Sequence, residues 1–235
     1  MMSVLFAFLA VTLVSNQVAT GLALTIFGTG LSGFLGAGYV GMAIDGIAPF
    51  PIPFLSDIPF IGKVLFSHDP LVYVSWIMFA LIFWCFRSTR LGLTIRAVGE
   101  NPEAANAIGI PVMKVRYGAI LFGGAMAGLA GAYLSLVYTP MWSEGMSAGR
   151  GWIALALVVF ASWKAERILL GAYLFGAASI MHLVLQGLGF EASPNLLAML
   201  PYAATIIVLV IIASDAAKAK LSTPLALGQP YRPQV

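Results

Sequence analysis

Charge is what this chain has least of. Only 9% of its 235 residues are Asp, Glu, Lys or Arg, against about 25% in soluble globular domains. With 60% hydrophobic residues and a mean hydropathy of +0.96, the chain cannot dress a water-facing surface, which excludes a soluble enzyme and a disordered polymer. Cysteine is nearly missing as well. The single Cys85 excludes a disulfide framework and a CxxC metal site within one chain. No HExxH or other metal-ligand cluster occurs, so no metal or other cofactor is expected on this chain. No GxxxxGK[ST] loop is present to cradle phosphates, so any ATP hydrolysis belongs to other chains. The net charge of +3 is of the sign that suits nucleic acid, but no basic stripe with interleaved aromatics accompanies it, and nucleic acid is excluded as a partner.

What the chain has in abundance is apolar runs. Candidate membrane spans lie at 2–14, 18–37, 71–86, 117–138, 152–162, 168–187 and 196–213, about seven hydrophobic segments forming a single all-α polytopic transmembrane domain over 1–235. The 25 glycines suit membrane helices, where small residues let backbones approach closely. Segments 2–14 and 152–162 fall below the ~17 residues usually needed to cross. The first lacks the basic start and small-residue cleavage site of a signal peptide. The second is either a thin-membrane crossing or a re-entrant helix buried in protein.

Basic residues orient the spans, because Lys and Arg concentrate on the cytoplasmic side. With 87–116, 163–167 and 214–235 placed there, that side holds Arg87, Arg90, Arg96, Lys114, Arg116, Lys164, Arg167, Lys218, Lys220 and Arg232, leaving only Lys63 and Arg150 outside. The acids show no such bias, with Asp45, Asp57, Asp69, Glu144 and Glu191 outside. A re-entrant 152–162 would export the tail and three of its basic residues, so it is counted as a crossing. The C-terminus is then cytoplasmic and the N-terminus outside. Tyr73, Tyr138 and Trp142 mark the outer rim, and Trp84 and Trp163 the inner one, as interfacial aromatics do. The longest external segment, 38–70, contains Pro49, Pro51, Pro53 and Pro59, which forbid a regular helix and predict a compact lid or docking surface.

The densest local signal is Gly99-Glu-Asn-Pro-Glu-Ala-Ala-Asn-Ala-Ile-Gly-Ile-Pro111. Asn101 is a favoured N-cap, Pro102 suits the first helical position, and Glu103 complements the positive helix end. Gly109 supplies a stop and Pro111 prevents continuation. The expectation is a two-turn helix of small side chains, too short to be stable alone. From spacing alone, an ordinary capped loop helix and a docking element are equally good readings. Arg96, Lys114 and Arg116 flank it and can hold the loop or meet anionic lipid.

Within the spans, Thr25, Gly28, Thr29, Ser32 and Gly36 share one helical face, which suits close packing or a polar pathway. Gly124-x-x-x-Gly128 and Ala127-x-x-x-Gly131 predict close helix packing. Asn16 and Gln17 stand between two apolar runs and mark a broken helix beside a path for solute. His182 and Gln186, one turn apart, fit an interhelical hydrogen bond better than a proton relay. Gly145-Met-Ser147-Ala-Gly149 matches GxSxG, but it lies in a loop between membrane segments rather than on a strand-to-helix elbow. Ser32 with His182 resembles the dyad of rhomboid-like intramembrane serine proteases, a match two residues wide that stands as the enzyme alternative.

The stretch RLGLTIRAVGENPEAANAIGI (90–110) closely resembles the coupling-helix loop of permease subunits of binding-protein-dependent ABC importers, in the branch serving simple sugars, nucleosides and branched-chain amino acids. The resemblance continues through NQVATGLALTIFGTGLSGFLG (16–36), IPFLSDIPFIGKVLF (52–66), HDPLVYVSW (68–76), GGAMAGLAGAYLSL (123–136), GRGWIALALVVFASW (149–163) and LLGAYLFG (169–176). It implies a type II importer-like permease in the cell membrane, paired with a second permease subunit, ABC ATPase subunits that bind ATP and Mg, and an extracytoplasmic solute-binding protein or lipoprotein. Gly99, Glu100, Asn101, Pro102, Glu103, Ala104, Ala105, Asn106, Ala107 and Gly109 would then contact the ATPase, and Asn16, Gln17, Thr25, Thr29 and Ser32 would line the path. The solute implied is polar and uncharged, a nucleoside first, then a simple sugar, with a branched-chain amino acid as the alternative. Members of the branch usually carry further spans before the segment matching Asn16-Gln17, which implies a chain truncated at its N-terminus.

Overall fold

The computed structural model describes residues 1–54, 56, 58, 59, 62, 65–147, 149–189, 199, 203, 206, 207, 210 and 223–232, without the side chains of 182, 183 and 186. They fall into two compact units, Met1–Ser147 with Ala226–Val235, and Ala148–Leu225. Most of the expected span 196–213 and the side chains of the His182–Gln186 pair lie outside what is described.

The first unit opens with helix α1, Met2–Ala7, which widens into a π-helical turn at Phe8–Thr12. Helix α2 follows at Gln17–Gly36 and tightens into a 3₁₀ turn at Ala37–Tyr39. Helix α3 spans Pro70–Ser88, α4 Arg90–Glu100, α5 Pro102–Ala107 and α6 Val112–Tyr133, the last ending in a π-helical turn at Leu134–Tyr138. Three of these apolar helices, Gln17–Tyr39, Pro70–Ser88 and Val112–Tyr138, contain 23, 19 and 27 residues. At ~1.5 Å per residue they measure about 28–40 Å, enough for a hydrocarbon layer of ~30 Å.

Burial shows which solvent these helices expect. Among the described residues few large apolar side chains are buried, while Ile26, Phe34, Trp84 and Leu91 are among many left mostly exposed. Apolar surface of that extent on a soluble protein marks an interaction or membrane site. Here it covers the faces of helices long and apolar enough to cross a bilayer, as lipid-facing surfaces are.

Close approaches inside this unit depend on glycine. A Cβ at Gly124 would overlap the Ser3 hydroxyl, so α1 lies directly on α6 there, whereas Gly128 and Gly131 have open space before them. The small-residue face of α6 is therefore half used within one chain. A Cβ at Gly36 would overlap the Trp142 ring. That ring belongs to a stretch running beside the segment after α2: Ile44 N–H donates to the Pro140 carbonyl at 3.0 Å and Ile47 N–H to Leu136 O at 3.0 Å. Isolated bridges pair Val40 with Trp142 and Ala43 with Met141, and the described residues contain no longer strand pairing. Farther along, Phe50 N–H bonds His68 O at 2.9 Å and Ile52 N–H bonds Phe66 O at 3.0 Å. The part around Pro49 and Pro51 is thus extended backbone paired with 66–68, whereas Ser56 N–H to Ile52 O, Gly62 N–H to Ile58 O and Phe66 N–H to Gly62 O close single helical turns among the described residues after it.

The second unit is a helical hairpin of α7, Arg150–Phe160, and α8, Ala165–Gly187. Gly171 lets the helices close, since its Cβ position lies 2.7 Å from Leu157 Cδ2. The Phe160 and Phe175 rings meet edge to face at 6.5 Å. The 11-residue α7 measures about 16 Å, roughly half the hydrocarbon thickness. It ends in a Schellman turn: Ser162 N–H donates to Val159 O at 2.9 Å and Trp163 N–H to Val158 O at 3.2 Å. Ser162, at φ +50°, occupies the left-handed position where glycine is usual.

Candidate functional site

The segment between α3 and α6 builds its geometry from caps. Thr89 ends α3 and starts α4, donating its hydroxyl to Cys85 O at 2.7 Å while accepting from Gly92 N–H at 3.1 Å. The chain turns so tightly that a Cβ at Gly92 would overlap the Cys85 carbonyl. Arg96 returns across this corner to bond Phe86 O at 2.6 Å, with its guanidinium 5.8 Å from the Phe86 ring centre. Arg96 therefore fastens the loop to the end of α3.

Asn101 then separates two helices. Its Oδ1 accepts from Ala104 N–H at 2.9 Å, and Pro102 occupies the first helical position. Gly99 and Glu100 belong to the last turn of α4, and Asn101–Ala107 to α5 and its cap. The far end closes as a Schellman motif: Gly109 N–H donates to Asn106 O at 2.9 Å and Ile110 N–H to Ala105 O at 3.0 Å. Gly109 adopts φ +86°, a conformation that costs other residues but not glycine.

Only one side chain of α5 points inward. Ala105 is 3% exposed and packs in a small core with Val98, Val112 and Tyr231. Asn101, Glu103, Ala104, Asn106 and Ala107 are exposed, and Ile108, at 76% exposure, caps the outward tip. The helix is a short rod, fixed at both ends, seated on one alanine, with small side chains and one bare isoleucine facing away.

Tyr231 is the residue that local sequence reasoning missed. Ala226 N–H donates to Gly99 O at 2.9 Å, and Arg116 Nη1 donates to Gln229 O at 3.1 Å. The Arg116 Cζ stands 5.6 Å from the centre of the Tyr231 ring. Of the three flanking cations, Arg96 and Arg116 hold backbone. Lys114 lines a recess of about 660 Å³ between α3, α4 and α6 that is otherwise almost wholly apolar.

The other site residues lie at the start and middle of α2. The chain breaks between α1 and α2, with Val14 at φ +52°. Asn16 caps α2, its Oδ1 accepting from Val18 N–H at 3.0 Å and Ala19 N–H at 3.1 Å, and Gln17 opens the helix. Ser15 bonds Leu9 O at 2.8 Å, and Thr12 bonds the Tyr117 hydroxyl, tying the break to both α1 and α6. Thr25 donates its hydroxyl to Gly21 O and Thr29 to Thr25 O, both at 2.8 Å. Thr25, Thr29 and Ser32 are exposed on the helix surface. The break thus immediately precedes the helix that carries the hydroxyl face, which runs from Thr25 to Ser32. Among the described residues no group of three or more His, Cys, Asp and Glu side chains is placed to hold a metal ion.

Residues 1–212 match the family model described as "Branched-chain amino acid transport system / permease component". The chain is 39% identical, over 96% of its length, to the "Putative glucose ABC transporter permease protein" of Haloferax volcanii, covering 75% of that protein. It is 33% identical, over 97% of its length, to the "Guanosine ABC transporter permease protein" of Bacillus subtilis, covering 73% of it. A "Nucleoside ABC transporter permease protein" of Lactococcus lactis is 36% identical over 70% of this chain and 53% of its own length. No solved structure matches this chain.

Proposed function

Because the chain belongs to the branched-chain amino acid transport system permease family, within its simple-sugar, nucleoside and branched-chain branch, we propose that it couples solute passage to separate ATPase subunits through α5. It is a multi-pass membrane protein and a transport subunit rather than an enzyme, so the protease reading of Ser32 and His182 finds no support.

The observation that carries the coupling role is the build of α5. Capped by Asn101 and by the Gly109 Schellman turn, it turns only Ala105 inward and presents Glu103, Asn106, Ala107 and Ile108 outward. A push on that face meets a short rod whose two ends are both hydrogen-bonded. Ile108→Asp places a charge on a tip that packs against nothing buried, so it leaves folding intact. In proteoliposomes holding the full transporter, it abolishes ATP-driven uptake and weakens ATPase attachment. Undiminished uptake with a normally attached ATPase would refute the assignment.

Orientation gains support from the tail. Residues 226–232 bond to 99–116, so the two segments share a side, as the placement of basic residues requires. A cysteine-reactive, membrane-impermeant label should reach Ala107→Cys only from the cytoplasmic face; labelling from outside would invert the topology.

The solute is a polar, uncharged compound rich in hydroxyls. Thr25 and Thr29 have committed their protons to backbone carbonyls, so each presents acceptor lone pairs only, which suits donors on a ribose or a sugar. A nucleoside stands first, in keeping with the guanosine and nucleoside relatives. A simple sugar is the second reading, favoured by the 39% identity to the Haloferax protein. Uptake of labelled guanosine and glucose, each with excess of the other, separates the two. Transport of leucine alone would overturn both.

A further inference from the structure

Resting on the reading of α5 as the ATPase contact, we propose that the C-terminal segment 226–232 is part of the coupling site, with Tyr231 and Arg116 as positioning residues that fix the base of α5. A six-residue helix has no stability of its own, and α5 buries one methyl group. Its seat is a core of four residues: Val98 from α4, Ala105 from α5, Val112 from α6, and Tyr231. Tyr231 is the largest of the four and the only one that comes from outside the loop.

The segment grips the loop on both sides of α5. Ala226 N–H holds the Gly99 carbonyl, two residues before the Asn101 cap. Arg116, on the first turns of α6, holds the Gln229 carbonyl and stacks over the Tyr231 ring at 5.6 Å. A strap fastened to both stems prevents α5 from rotating on its single alanine when its outer face is pushed. Displacement of α5 is then passed to α4 and α6 as one body. A lysine replaces Arg116 only in part, because a guanidinium can lie over the ring while another of its N–H groups donates to a carbonyl. Beside the exposed face of α5 a cleft of about 240 Å³ opens among Asn106, Pro111, Met113, Lys114 and Tyr231. The strap therefore also forms one wall of the surface that a partner side chain would meet.

The test uses the assembled transporter with its ATPase subunits, carrying Tyr231→Ala, Tyr231→Phe, Arg116→Lys or Ile108→Asp. Two quantities are read: amide hydrogen exchange at Ala105 and Ile110, and ATP hydrolysed per solute imported. Tyr231→Ala should speed exchange roughly tenfold, since truncating a buried aromatic removes more than enough packing for that. It should also raise the ATP-to-solute ratio while the ATPase stays attached. Tyr231→Phe keeps the ring and should behave as the parent protein, and Arg116→Lys should fall between. Parental exchange and ratio in Tyr231→Ala would overturn the inference, as would a Tyr231→Phe protein as impaired as Tyr231→Ala. If Ile108→Asp leaves uptake and attachment intact, the coupling role of α5 fails instead, and the exchange data still judge the strap.

Discussion

Replacement of Gly109 isolates the contribution of one backbone conformation to helix α5. The residue sits at φ +86°, and a Cβ built on it meets no atom within 4 Å. Steric collision with neighbours therefore contributes nothing, and the whole cost of Gly109→Ala is conformational. The left-handed region costs an L-residue about 1–2 kcal/mol. Loss of glycine's freedom in the unfolded chain returns ~0.4–1 kcal/mol. The net is a destabilisation of about 1 kcal/mol, roughly a fivefold shift of local opening. Asparagine tolerates the left-handed region, so Gly109→Asn should recover most of the loss, and Gly109→Val should exceed it. The reporter is the Ile110 amide, whose hydrogen bond to Ala105 O exists only while the turn is closed. Its exchange rate should rank Gly, Asn, Ala, Val from slow to fast, with uptake falling in the same order. An alanine variant exchanging as slowly as the parent, or an asparagine variant faster than alanine, would refute the account of the turn.

Three further outcomes follow from the same kind of argument. Asn101→Ala removes the side-chain acceptor for Ala104 N–H and should destabilise α5 by about 1 kcal/mol, while Asn101→Asp retains the cap; thermal unfolding in detergent and exchange at Ala104 measure both. Ser162→Gly relieves a left-handed serine at φ +50° and should stabilise the α7–α8 hairpin by ~1 kcal/mol, seen as a higher unfolding temperature. Thr25→Val and Thr29→Val remove hydroxyls that donate to the Gly21 and Thr25 carbonyls within α2. Stability should change by less than about 1 kcal/mol, whereas uptake should fall through a raised half-saturating solute concentration, and unchanged uptake kinetics would remove this face from the path.

The apolar runs located the helices because a span of some twenty apolar residues is the strongest pattern a sequence can carry. Helix ends followed from local chemistry. Asp69-Pro70 and Asn101-Pro102 show in sequence the caps that appear in the structure, where Asp69 Oδ1 accepts from Leu71 and Val72 N–H. The separate helix α4 carries Gly92, Ile95 and Val98 at helical spacing, but its polar, basic composition lacks the long apolar run that marks the spans. Contacts between distant segments were not legible at all. Nothing local to Trp142 announces that its ring fills the space above Gly36, and nothing around Tyr231 announces a seat beside Val98 and Val112. Such contacts are set by where the helices come to rest. The Gly124 motif is intermediate: its spacing predicts a close neighbour but not that the neighbour is Ser3 of α1.

The placement of Tyr231 also fixes an order of events during biosynthesis. Val98, Ala105 and Val112 leave the ribosome together, but the ring that completes their core is translated more than a hundred residues later. Every segment from α6 to the end of α8 must be delivered in between. The nascent loop accordingly carries an unfinished seat throughout that interval, and a partner that requires the seated form can engage only a chain whose synthesis has passed Tyr231.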